Sequence, residues 1–231
     1  MHFLLSAFRF LLTDFSLLPD MSKLTFLITA GPTQEPIDPV RYLSNRSSGK
    51  MGYALAKAAR AAGHHVVLIS GPTSLTSPSG IKFIPVTTAL EMRRAVMKNF
   101  RSADVIVKVA AVADYRPSRM QNKKIKKTGK PMTLKLVPNP DILKELGRKK
   151  RKNQILVGFS AETDRGLPNA AEKLREKRCD WIVLNNVSKK GIGFGSDENE
   201  VTLLSKNGRI LPLGRASKDK LAKRILEVIL S

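Results

Sequence analysis

Short apolar runs that stop abruptly at Gly-Pro, separated by stretches of helical period, constrain this chain more than any other feature. Residues 24–29 (LTFLIT) lead to Gly31-Pro32, and residues 65–70 (HVVLIS) to Gly71-Pro72. A brief run without polar alternation suits a strand covered on both faces, as in a parallel sheet. Between the two lies a helical pattern, with Met51, Leu55, Ala58, Ala59 and Ala62 on one face and Gly63 as the stop. Residues 82–86 predict a third strand. Thr88, with Glu91 three positions on, makes a capping box for a helix that buries Ala89, Met92, Val96 and Phe100. Residues 104–113 are the most apolar stretch and predict a central strand running into a loop at Asp114. This alternation argues for an α/β, Rossmann-like, mostly parallel sheet with helices on both faces and right-handed connections.

The rhythm then breaks. Residues 115–130 are polar and strongly basic and read as a mobile loop; residues 33–48, between the first strand and its helix, read as a polar, Pro-containing loop. Residues 133–137 alternate like a strand, and Asn139-Pro140-Asp141 opens a helix through Leu143 and Leu146. Strands are expected at 155–159 and 181–184, with a helix at 169–178. Residues 201–204 and 209–213 flank Asn207-Gly208 as a hairpin appendage, before a closing helix that buries Leu221, Ile225, Val228 and Ile229. There is no internal repeat and no low-complexity linker, so residues 21–231 read as one domain.

Composition limits what such a domain can be. The chain of 231 residues is 42% hydrophobic, enough for a core, yet carries a net charge of +22. One cysteine, Cys179, excludes an internal disulfide and a Cys-cluster zinc site, and three histidines leave little for a histidine metal site. Cys179 reads as a buried thiol, and the cell interior (the cytoplasm) as the compartment. Residues 1–20 are apolar, but Arg9 and Asp14 interrupt them, and they match neither a spanning helix nor a signal peptide. They read as an upstream extension before Met21, with a membrane-surface helix as the alternative.

Open parallel sheets bind ligands beyond the carboxyl ends of their strands. After the first strand stand Gly31 and, at the following helix start, Asn45, Ser47, Gly49 and Gly52. Small residues at a helix N-terminus suit a phosphate. The spacing is neither a Walker loop nor GxGxxG, and an ordinary Gly-Ser turn fits as well. After the central strand come Ala110, Ala111 and Asp114, suited to a close-fitting ligand or to a tight turn. The run Lys123, Lys124, Lys126 and Lys127 suits a solvated face, or a loop closing over a phosphorylated substrate. Lys173 and Lys177 share a helix face and could clasp a triphosphate, although surface salt bridging, with Lys173–Glu176 and Glu172–Arg175 in reach, explains the pair better on its own.

The stretch from Gly31 to Gly52 (GPTQEPIDPVRYLSNRSSGKMG) resembles phosphopantothenate–cysteine ligase, the phosphopantothenoylcysteine synthetase of coenzyme A biosynthesis. Further marks follow in the family's order: residues 110–115, 124–127, 139–142, 158–163 and 186–188. The resemblance spans residue 24 to the C-terminus and implies a stand-alone bacterial-type synthetase. It implies that the carboxylate of 4'-phosphopantothenate attacks the α-phosphorus of CTP, with magnesium accompanying the triphosphate. An acyl-cytidylate forms, and L-cysteine displaces CMP. Asn45 and Lys124 match catalytic positions of the family, and Arg41, Asn45, Ala110, Ala111 and Asp114 its substrate contacts. Gly31, Ser47, Gly49 and Gly52 match its phosphate-binding turn. Asn139, Pro140, Asp141, Ile142, Phe159, Lys173, Lys177 and Asn186 match its nucleotide contacts, together with Ala110, Asp114 and Lys124. Ser160 stands where alanine is frequent, and Asn185 where a small residue is frequent, both near the expected base site. The family implies a homodimer with shared active sites, a separate decarboxylase, and no flavin in this chain.

Two rivals lose ground on the residues themselves. A dinucleotide binder lacks its glycine fingerprint and ribose carboxylate here. A nucleic-acid module lacks aromatics interleaved with the lysines, since aromatics are 6%. Between residues 116 and 178 stand 19 Lys and Arg against 6 Asp and Glu. Part of the charge is therefore expected to steer small polyanions, with neither nucleic acid nor membrane as partner.

Overall fold

The computed structural model describes residues 23–162, 166–186 and 195–231, with the side chain at 186 excepted; the proposed extension at 1–20 lies outside them. Strand β1 (Thr25–Ala30) is followed by the ribbon strands β2 (Gln34–Pro36) and β3 (Tyr42–Ser44), helix α1 (Lys50–Ala61), β4 (His65–Ser70), β5 (Lys82–Pro85) and α2 (Ala89–Asn99). Then come β6 (Val105–Lys108), β7 (Tyr115–Pro117), β8 (Leu136–Pro138), α3 (Ile142–Lys149) and β9 (Ile155–Glu162). The chain closes with α4 (Gly166–Glu176), β10 (Trp181–Asn186), β11 (Glu198–Ser205), β12 (Ile210–Ser217) and α5 (Lys218–Leu230).

Eight strands form one sheet in the order β12-β11-β10-β9-β6-β1-β4-β5. Six are parallel, and β11 and β12 add antiparallel at one edge. The five inner parallel strands bury both faces, while the edge strand β5 stays largely exposed. In β1, Phe26 and Ile28 pack toward α1 and α5, while Leu27 packs toward α2. Helices α3 and α4 cover that second face through Leu143, Leu146, Ala170 and Leu174. The chain runs outward from β1 to β4 and β5, then returns to β6 on the other side of β1. The switch point therefore falls between β1 and β6, where the loops leaving the two strands diverge and open a crevice.

The capping box forms as expected: the Thr88 side chain accepts from Glu91 N, and Glu91 returns to Thr88 N. Glu35, itself buried, accepts from Ala89 N at 2.8 Å and satisfies another free donor of the same helix end. His64 is buried, stacks on Phe26 and has its pKa lowered by burial. Cys179 is buried, and burial pushes its thiol up to about 12, so it packs and stays protonated.

Several expectations need correction. The segment 33–48 is not plain loop, because β2 and β3 pair antiparallel within it. Residues 115–117 leave the basic segment to pair with residues 136–138, a strand shorter and later than the alternation suggested. The central strand ends at Lys108 rather than at residue 113. Helix α4 starts three residues early, and Ala62 faces solvent at the end of α1. The C-terminal hairpin is no appendage: β11 pairs with β10 and completes the main sheet. Its turn places only Gly208 at positive φ, with Ser205 N donating to Arg209 O. That is the three-residue loop with a glycine bulge rather than a two-residue Asn-Gly turn.

Candidate active site

A cavity of about 600 Å³ opens at the switch point. One wall is the uncapped start of α1. Gly49 is its N-cap at φ 78°, no side chain caps the helix among the described residues, and its first turn holds no acidic residue. Its free N–H groups face a neighbouring anion-sized space with the positive end of the helix dipole. Two glycines make this approach possible. A Cβ on Gly49 would sit 2.7 Å from Thr73 Cγ2, and one on Gly52 2.6 Å from Ala30 Cβ. Gly52 thus lets α1 lie close against β1. Gly31, Ser47, Gly49 and Gly52 all line the cavity, and Asn45 donates to Ala111 O at 3.0 Å across it.

The loops beneath are equally tight. A Cβ on Gly71 would lie 1.7 Å from Pro32 O, and Pro32 bridges to Ala111 on the β6 side. Gly71→Ala must therefore separate the loops after β1 and β4. We expect it to cost about 3 kcal/mol, the upper range of overpacking, read as a lowered denaturant midpoint. A wild-type midpoint would show that the crossing tolerates a methyl group.

The opposite wall comes from β6, α3, β9 and α4. Ala110, Ala111 and Asp114 follow β6, and Asn139 anchors them: its N–H donates to Asp114 O, and its amide to Ala113 O. Asn139, Pro140, Asp141 and Ile142 bring the start of α3 to the cavity, with Asp141 Oδ1 capping Lys144 N. Phe159, half-buried, contributes from β9. From α4, Lys173 donates to Phe159 O at 2.9 Å, and burial lowers its pKa. Lys177 pairs with Asp141 at 3.0 Å and with Glu176 at 2.8 Å; these carboxylates outweigh its burial and raise its pKa. The two lysines thus divide: Lys177 is neutralised by ion pairs, whereas Lys173 has no salt bridge within 4 Å among the described residues.

Arg41 and Lys124 do not line the cavity. Arg41 grips Asp38, and its Nη2 also donates to Ile125 O at 2.9 Å. Asp38, buried on the β2–β3 ribbon, accepts from Ile125 N at 3.1 Å. The Arg41 guanidinium, with backbone donors, holds the Asp38 carboxyl well below the usual carboxylate range despite burial. The basic segment is therefore moored at Ile125, with Lys124 exposed beside the mooring. The side chain of Asn186 lies outside the described residues.

Sequence reasoning missed Lys108, Lys218 and Asn199, all on the cavity wall. A signal existed for Lys108, a lone charge inside the apolar run from 105 to 113. Asn185, noted only as a departure from the family, also lines the cavity, and its buried Oδ1 has no hydrogen-bond partner among the described residues. Lys218 donates to Ser196 O, and burial together with Lys50 lowers its pKa. Among the described residues no three His, Cys, Asp or Glu gather as a metal cage, and no helix is long and apolar enough to cross a membrane.

Residues 21–231 match the family described as the DNA/pantothenate metabolism flavoprotein C-terminal domain. The chain is 50% identical over 204 residues to the "Coenzyme A biosynthesis bifunctional protein CoaBC" of Bacillus subtilis, covering 88% of this chain and 50% of the relative. The protein of the same name from Escherichia coli is 43% identical over 221 residues, covering 94% of this chain and 54% of the relative. The chain thus spans about half the length of these relatives. The crystal structure of the C-terminal domain of such a CoaBC protein superposes with a TM-score of 0.77 at 41% identity, covering 90% of this chain and 94% of that one. The parallel sheet, its switch-point cavity and the match over residues 21–231 agree, and the chain belongs to the family of the DNA/pantothenate metabolism flavoprotein C-terminal domain.

Proposed function

We propose that this chain joins 4'-phosphopantothenate to L-cysteine at the expense of CTP, giving 4'-phosphopantothenoylcysteine, CMP and pyrophosphate. The relatives' printed role in coenzyme A biosynthesis supports the pathway. The observation that carries the chemistry is one cavity holding the uncapped start of α1 on one side and Lys108 and Lys173 on the other. A carboxylate and a triphosphate repel each other, so what the reaction needs first is a place where N–H donors and ammonium groups hold both.

In this reading the phosphopantothenate carboxylate attacks the α-phosphorus, and pyrophosphate departs toward the lysines. The cysteine amine then attacks the acyl-cytidylate carbonyl, its proton is lost, and CMP leaves. Asn45 steadies the carbonyl region, and Phe159 borders the base. Lys124, carried beside the Ile125 mooring, supplies positive charge when its loop meets the phosphates. Magnesium enters as part of the nucleotide substrate, bound through phosphate oxygens.

The exposed apolar side chains Val40, Tyr42, Tyr115 and Leu136, on the two small ribbons, support a homodimer through that face. A decarboxylase acting on the product, and carrying the flavin, completes the proposed sequence.

The test is pyrophosphate release with each substrate omitted in turn. We expect release to need CTP and phosphopantothenate, and amide formation to need cysteine as well. ATP in place of CTP should be poor; equal rates would replace the CTP reading with an ATP-dependent ligase. Asn45→Asp and Lys124→Gln should each lower the rate about 100-fold or more, the scale for loss of a group that stabilises developing charge.

A further inference from the structure

Lys108 ends the central strand β6, on the face shared with Ile106, Ala110 and Ile142, and its side chain reaches the cavity wall. Its ammonium donates to Ala110 O at 3.2 Å, its one hydrogen bond among the described residues. The charged groups facing it are Lys173 from α4, Asp141 at the cap of α3, and Asp114 from the loop after β6. Asp141 is already committed: one oxygen caps α3 and the other pairs with Lys177. A cation placed here, beside Lys173, with one of its two facing carboxylates already committed and an opening onto the space between two helix starts, suits an incoming polyanion.

We propose that Lys108 is a further polyphosphate-binding residue of this cavity, and that it takes up a proton as the phosphates arrive. This rests on the nucleotide reading above and adds to it a proton that Lys108 takes up when the phosphates bind. Burial, followed by repulsion from Lys173, brings the Lys108 ammonium down to about 8 in the free protein. A triphosphate beside it favours the charged form and raises that value again. Linkage fixes the sign. Well below pH 8 the group is already protonated and binding takes up little. Above pH 8 each binding event must supply the proton, so affinity falls up to about tenfold per pH unit.

The test is calorimetry with CTP and, separately, inorganic tripolyphosphate, in buffers of different ionisation enthalpy at pH 7 and pH 9. Wild type should take up close to one more proton per ligand at pH 9 than at pH 7. Lys108→Arg, charged throughout, should keep binding and lose that uptake and the fall in affinity above pH 8. Lys108→Met should weaken binding at pH 7.5 about tenfold or more, with circular dichroism confirming the fold. Wild-type uptake retained in Lys108→Arg would assign the proton to Lys173 and overturn the proposal, as would unaltered tripolyphosphate affinity in Lys108→Met. Tripolyphosphate binding with uptake but no CTP binding would leave Lys108 in place and sink the nucleotide reading. Binding of neither would sink the Lys108 proposal.

Discussion

Asp38→Ala should release the basic segment from the body of the protein. Trypsin should then cut between Lys123 and Lys130 at least about tenfold faster, while the rest of the chain resists as before. The reason is how much one carboxylate holds. Asp38 accepts from Val40 N and Arg41 N at 2.9 Å, from the Arg41 guanidinium, and from Ile125 N. Arg41 returns a bond to Ile125 O, so both backbone groups of Ile125 are held by one ion pair. Gln121 N donating to Ile37 O is the only further backbone bond from the segment to the ribbon among the described residues. If Lys124 acts from this mooring, the variant should also lose about 100-fold in ligation rate, the scale for a misplaced catalytic group. Arg41→Lys keeps the charge but not the two-pronged grip and should fall between wild type and Asp38→Ala. An unchanged cleavage pattern would mean that the segment is held by something other than Asp38. Cleavage throughout the chain would mean global unfolding instead.

Asp180→Ala should give the largest loss of stability. Asp180 is 8% exposed and sits at the N-terminal end of β10, remote from the cavity. Its carboxylate accepts from Leu156 N at 2.8 Å, Lys150 Nζ at 2.6 Å and Lys206 Nζ at 2.7 Å. One side chain thus joins β9, the loop before it and the hairpin turn of β11 and β12. Removing it leaves Lys150, whose side chain is 15% exposed, without its partner, and leaves a buried N–H unbonded. Breaking such a pair costs about 3–5 kcal/mol. For a domain of this size that lowers Tm by on the order of 10 °C.

Burial pushes the Asp180 carboxyl up, but the two ammonium groups and the Leu156 N–H outweigh it, and the net shift is downward. The stabilisation is therefore complete above the unfolded carboxyl pKa of about 4 and is lost as pH falls toward the lower folded value. Wild type and variant should melt far apart at pH 7 and approach each other near pH 3. A constant gap would show that the lost stability is packing rather than charge. Because Asp180 lies at the far end of the strands, affinity for the proposed nucleotide at low temperature should be unchanged.

The two variants separate parts of the molecule with unequal visibility in the sequence. Apolar runs at 24–29, 65–70 and 104–113, the last overrunning its strand, with the Thr88–Glu91 box and the glycine at 63, mark β1, β4, β6, α2 and the end of α1. Burial on both faces favours apolar residues along such strands, which is what makes the runs stand out. Local chemistry also marks the turn at Gly49 and the Asp141 cap. The β2–β3 ribbon and β7 were not legible, and β8 only in part, through the alternation at 133–137. They are three-residue strands whose stability comes from docking on each other and on the body, which no local pattern records.

The candidate site divides in the same way. By itself the sequence determined the α/β order, the small residues at the strand ends and the family resemblance, because each is a property of contiguous residues. Only the tertiary structure decided that Lys108 from β6, Lys173 from α4 and the free N–H groups of α1 share one cavity. Only it decided that Lys177 is spent on Asp141 and Glu176 while Lys173 is not, and that Asp38 carries the basic segment. Those facts depend on distances of a few ångströms between residues tens of positions apart. Desolvation and ion pairing respond to such distances; composition and spacing do not.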